Sequence, residues 1–178
     1  MEALLVEGGA DVAGPERAAS RPRPLLLGWL AAIGVDLFFN AGVFTPLFDQ
    51  AREPGLLPDD VLFRRIPIAY LVTGFAVAAL AWLLDRTRPA GPRVGMLVGG
   101  ALGLLFGMTG VVWLWTAIEM TGLFVAAGVV VQIGQMAAAG AVLGAAAGRT
   151  DPRRILRMTL AGIAIAVVGA VIAQNVLG

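Results

Sequence analysis

Residues 95–110 read GMLVGGALGLLFGMTG, and this stretch gives the clearest indication of the fold. It carries no charge and lies inside an apolar run, 94–118, that exceeds the roughly 20 residues an α-helix needs to cross a bilayer. Glycine recurs at every fourth position, which places the glycines on one face of a helix: Gly95, Gly99, Gly103 and Gly107. Small residues at this spacing let two membrane helices approach closely. The stretch therefore predicts a transmembrane helix with one tightly packed face.

The same spacing of small residues recurs later in the chain, at Gly140, Gly144 and Gly148 and again at Gly162, Ala166 and Ala170. We therefore expect glycine-rich packing. Two alternatives remain: the glycine faces pack within one chain, or they join copies in a homo-oligomer. A phosphate-binding loop is excluded, because no strand precedes the glycines.

The composition extends this interpretation to the whole chain. Hydrophobic residues make up 58% of the 178 residues and charged residues 14%, with a mean hydropathy of +0.85. Soluble domains are usually about 25% charged. The charges fall in clusters, and between them lie five apolar spans, at about 25–44, 66–84, 94–118, 122–148 and 155–177. The sequence predicts an all-α integral membrane protein, a bundle of five transmembrane helices covering 25–177.

The distribution of arginine predicts the orientation. Residues 1–24 are polar and proline-rich, with acidic residues that exclude a signal peptide, and they predict a disordered cytoplasmic tail. Ten arginines lie in the tail and in the connections on the same side of the membrane as the tail, and three lie in the connection on the opposite side. Because arginine is enriched on the cytoplasmic side, we expect the N-terminus inside and the C-terminus outside. The absence of lysine and the richness in Ala, Gly and Val are typical of a GC-rich bacterial genome, so we expect a multi-pass protein of the inner (cytoplasmic) membrane.

Missing residue types narrow the chemistry. The chain has no Cys, His or Lys. This excludes a thiol nucleophile, a thiolate or imidazole metal site and a Schiff base. We expect no metal and no cofactor. The net charge of +1 gives no reason to expect nucleic acid, and the expected partners are the lipid bilayer and a small lipophilic ligand.

One acidic residue lies inside the first span, in IGVDLFFNAGVF (33–44). A charged Asp at the centre of a bilayer costs about 2.5–3.5 kcal/mol on insertion scales. Asp36 can be neutral and hydrogen-bonded to Gln132 or Asn40, or it can face a wet cavity. The first alternative is a structural polar clamp between helices. The second is a binding or proton-handling site that opens outward.

Further polar and aromatic residues fall between the midplane and the outer surface on four spans. The candidate ligand-binding residues are Asp36, Asn40, Tyr70, Thr109, Trp113, Gln132 and Gln135. Trp113 also suits an aromatic belt at the membrane interface. Glu119, in the turn after the third span, is either a solvated carboxylate or a second acid that works with Asp36.

Two segments carry a resemblance to known families: GVDLFFNAGVFTPLF (34–48) and GALGLLFGMTGVVWLWTAIEMTG (100–122). In their layout, residues 25–148 resemble small uncharacterised bacterial four-helix membrane proteins of the domain-of-unknown-function families. The resemblance implies a helical bundle for these residues and brings no chemistry. The fifth span departs from that layout.

Three classes of function remain. The first is binding or transport of a small lipophilic or cationic molecule at an outward-facing site around Asp36. The second is a membrane-embedded enzyme, an acid/base isomerase or cyclase on a lipid-like, polyketide or terpenoid substrate, with Asp36 and Glu119 as catalytic acid and base. The third is a non-catalytic assembly or accessory protein. The first is preferred, because a single titrating acid suffices for it.

Overall fold

The computed structural model describes residues 19, 21–46, 59–87, 91–117, 121–148 and 150–177. Every regular element in these ranges is helical. The elements are α1 (Pro22–Asp36), a π-helical segment (Leu37–Val43), α2 (Asp59–Thr87), α3 (Pro92–Ala117), α4 (Gly122–Ala147) and α5 (Pro152–Leu177). Five stretches, with α1 and the π segment forming one, are long and apolar enough to cross a membrane. The prediction of an all-α chain with five such helices is confirmed.

The helix starts follow from local chemistry. Three helices begin with proline, at Pro22, Pro92 and Pro152. Proline suits the first helical position, where no intrahelical partner exists for the missing N–H group. Thr121 caps α4, since its hydroxyl accepts a hydrogen bond from the Phe124 N–H group at 3.3 Å. Helix α1 includes residues 22–24, which the sequence predicted as part of the tail. Ala19 and Arg21 are also described, and the rest of the predicted tail, 1–18 and 20, lies outside the described residues.

Helices α3 and α4 lie against each other backbone to backbone. A Cβ atom added to Gly99 would collide with the Met136 carbonyl oxygen and lie 2.8 Å from the carbonyl carbon. One added to Gly140 would lie 2.9 Å from the Gly95 carbonyl carbon. Real Cβ atoms do not approach other atoms this closely. Only glycine fits at these positions, because any side chain would push the two backbones apart.

The opposite side of α4 packs on α1 and α2. The buried apolar core lies where these three helices meet, and its members include Ala32, Val77, Leu80, Leu84, Met136, Ala139 and Leu143. Helices α2 and α3 touch only briefly, although a short connection joins them. This pair therefore departs from the general tendency of helices joined by short loops to lie side by side. Helix α4 separates them, since it takes α3 on its glycine face and α2 on the other.

Helix α5 packs on α1 and on the π segment. A Cβ atom added to Gly42 would lie 2.7 Å from the Ala170 Cα atom, so the two backbones are in close contact here. One turn from Ala170 along α5, the Gln174 amide donates a hydrogen bond to the Ala41 carbonyl. The C-terminal helix therefore covers the π segment directly beyond Asp36.

Large apolar side chains cover the outside of α2, α3 and α5. They include Ile68, Phe75, Leu97, Leu105, Ile165 and Val176. Exposed apolar surface of this extent is unusual on a soluble monomer and suits contact with lipid chains.

Candidate functional site

Asp36 is the last residue of α1, and three side chains bind its carboxylate. Asn40 Nδ2 donates to Oδ1 at 2.8 Å, and Gln135 Nε2 donates to the same oxygen at 2.5 Å. The Tyr70 hydroxyl donates to Oδ2 at 3.0 Å. The three donors come from the π segment, α2 and α4. We call these four residues the Asp36 cluster.

Asn40 lies one turn after Asp36, in the π segment. The wider turn of this segment is visible in the hydrogen bond from the Phe44 N–H group to the Phe39 carbonyl, at 2.7 Å and five residues apart. Short π-helical stretches inside helices occur frequently at functional sites. The sequence predicted a continuous helix over 25–44, and the hydropathy pattern contains no signal that separates a π turn from an α turn.

Trp29 places Tyr70 beside the carboxylate. Its indole Nε1 donates a hydrogen bond to the Tyr70 carbonyl at 2.8 Å. Gly74, one turn further along α2, leaves room for the indole ring. Trp29 therefore joins α1 to α2 at the residue whose hydroxyl reaches Asp36. Trp29 was not among the residues predicted for the site, although its position seven residues before Asp36 puts both on one face of α1.

The amide from α4 belongs to Gln135, whereas Gln132 was the expected partner of Asp36. Gln135 is 4% exposed. Gln132 lies on the α3 side, where its Cβ atom would be 3.4 Å from a Cβ added to Gly107. Residues three apart on an α-helix differ by about 60° in direction, so the rotation of α4 decides which amide reaches the acid.

The structure does not bring α3 into the cluster. The Thr109 hydroxyl donates to the Leu105 carbonyl of its own helix at 2.7 Å. Trp113 is 66% exposed on the outside of the bundle. Glu119 lies outside the described residues. Of the candidate ligand-binding residues, Asn40, Tyr70 and Gln135 thus lie on Asp36, whereas Thr109, Trp113 and Gln132 do not.

All three contacts to the carboxylate, within the described ranges, come from neutral groups. An ionised carboxylate has about four acceptor positions. Oδ1 uses two and Oδ2 uses one, which leaves a single position on Oδ2. The cluster can therefore accept one more donor or one cation without losing a hydrogen bond.

Gln135 has a second feature. Its Oε1 atom is buried, and no donor in the described part of the chain reaches it. A buried polar atom without a partner costs about 1–3 kcal/mol. The cluster thus contains an acceptor oxygen that none of the described residues satisfies, on the same amide that binds Asp36.

Comparison of the chain with protein-family models, curated proteins and solved structures finds no match.

Proposed function

We propose that this chain is a small multi-span membrane protein that binds and transports a small cation at the Asp36 cluster. The observation that supports the proposal is the carboxylate itself, held by three neutral donors with one acceptor position left over. With Asp36 ionised, these donors leave one negative charge uncompensated. A cation at the remaining position would remove it.

A purely structural clamp would not require an acid. An asparagine at position 36 would accept the Asn40 and Gln135 amides on Oδ1 and donate to the Tyr70 hydroxyl through Nδ2. It would avoid the cost of about 2.5–3.5 kcal/mol for a charge at the centre of a bilayer. What aspartate adds over asparagine is its charge, and a cation is the ligand that uses it.

We place the protein in a bacterial inner membrane, with the N-terminus inside and the C-terminus outside. The support is the excess of arginine around the inner connections. In this orientation Asp36, about 21 Å along its helix from Pro22, lies on the outer side of the midplane. The Asp36 cluster would then be loaded from the outer surface.

The orientation has a direct test. A reporter domain fused after Gly178 should be active outside the cytoplasm, and one inserted within 85–93 should be active inside. Alkaline phosphatase and a fluorescent protein report these two locations. A cytoplasmic C-terminus would contradict the proposed orientation.

Binding at Asp36 is tested with the substitution Asp36→Asn. The purified protein, in detergent, is dialysed against radiolabelled Na⁺ and, separately, tetraphenylphosphonium. We expect the unchanged protein to bind at least one of these cations saturably and Asp36→Asn to lose that binding, because the charge is gone. The melting temperature of the variant should stay close to that of the unchanged protein, since the hydrogen bonds are retained.

Asp151→Asn is the matched control. Asp151 Oδ1 accepts a hydrogen bond from the Arg153 N–H group at 3.0 Å at the exposed start of α5. Asparagine caps a helix as well as aspartate does, so this variant should bind like the unchanged protein. Binding that survives Asp36→Asn, or an absence of binding for both cations, would rule the proposal out.

The enzyme alternative requires Glu119 near Asp36. Because Glu119 lies outside the described residues, no observed contact favours it.

A further inference from the structure

We propose that the ligand of the Asp36 cluster is a bare alkali-metal ion, for which Na⁺ is the probe. This inference rests on the proposed function, because it names the class of cation that the same site takes. Two observations carry it: the unsatisfied Gln135 oxygen and the oxygen content of the cluster.

The Gln135 side chain is 4% exposed, and its Oε1 atom is buried without a donor from the described residues. Oε1 belongs to the same amide group as Nε2, which contacts Asp36 Oδ1 at 2.5 Å. The unsatisfied acceptor thus belongs to the group that already touches the carboxylate. A cation bound next to Asp36 would supply the positive partner that this oxygen lacks.

All four side chains of the Asp36 cluster contain oxygen, and they come from three separate segments of the chain. Hard cations take carboxylate, amide and hydroxyl oxygens as ligands. In the observed orientation Gln135 Oε1 is the amide oxygen without a donor, so it can contact a cation while Nε2 keeps its hydrogen bond to Asp36. The carboxylate supplies the charge.

The size and the charge of the site indicate which class of cation it binds. The Gln135 oxygen is closed to solvent, and Na⁺ without its water shell is smaller than a water molecule. A bulky organic cation would not reach this oxygen. A single carboxylate balances a single positive charge, and the described part of the chain contains no group of three or more acidic or other metal-binding side chains that would suit a divalent ion.

The test is equilibrium dialysis of the full chain in detergent against ²²Na⁺, with choline replacing Na⁺ at constant ionic strength. We expect one saturable site and a melting temperature that rises with Na⁺ and not with choline. Gln135→Leu removes the unsatisfied oxygen, and it should raise the dissociation constant for Na⁺ about tenfold or more. Gln132→Leu is the matched control, because Gln132 lies toward α3 and does not contact Asp36, and it should leave this constant unchanged.

Tyr70→Phe supplies a second variant if Gln135→Leu does not fold, since it removes one cluster oxygen and keeps the ring. It should also weaken Na⁺ binding. Equal Na⁺ binding by the unchanged protein and the cluster variants would overturn the inference. Asp36-dependent binding of tetraphenylphosphonium without binding of Na⁺ would also overturn it and leave the proposed function standing. An absence of Asp36-dependent binding for both cations would overturn both.

Discussion

Gly99→Ala should lower the free energy of unfolding by about 1–3 kcal/mol, because its methyl group has no space between α3 and α4. The added Cβ atom would meet the Met136 carbonyl and lie 3.2 Å from the Gly140 Cα atom. These are backbone atoms in the middle of a helix, so they cannot move aside as a flexible side chain would. The two helices must separate along the contact, and the buried area between them is lost.

Gly110→Ala is the matched control, on the same helix. Nothing lies within 4 Å of a Cβ atom added at Gly110, and the residue is exposed. Alanine is favoured over glycine in a helix by up to about 1 kcal/mol, so this variant should be as stable as the unchanged protein or slightly more so. Thermal unfolding in detergent, followed by circular dichroism, measures both variants. Equal stabilities for the two would show that α3 and α4 do not touch at Gly99.

Gly42→Ala should also destabilise the protein by about 1–3 kcal/mol, through the contact between the π segment and α5. Its Cβ atom would lie 2.7 Å from the Cα atom and 3.0 Å from the Cβ atom of Ala170. The methyl group would move α5 away from the residues that follow Asp36. Hydrogen exchange at residues 37–43 should therefore become faster, in addition to a lower melting temperature.

The comparison for this variant is Gly162→Ala on α5. A Cβ atom added at Gly162 meets nothing within 4 Å, so neither stability nor hydrogen exchange should suffer. If Gly42→Ala behaved in the same way as Gly162→Ala, α5 would not lie on the π segment.

The sequence was enough to predict the number, type and approximate limits of the helices that are long and apolar enough to cross a membrane. Hydropathy suffices for this because a helix must be apolar over the fixed thickness of the hydrocarbon layer. Prolines at positions 22, 92 and 152 mark three of the starts. The cost of a charge in a bilayer also singled out Asp36 before any contact was known, and the one-turn spacing to Asn40 indicated a partner on the same face.

Only the tertiary structure decided which side chains meet Asp36. Hydropathy carries no information on how each helix is rotated about its axis, because these spans are apolar on all sides. That rotation is set by packing: the glycine face of α4 turns Gln132 toward α3, and this leaves Gln135 for the acid. The same packing keeps α3 on the far side of α4, away from the Asp36 cluster. The π segment likewise contacts α5, from a distant part of the chain, and a local pattern does not contain such contacts.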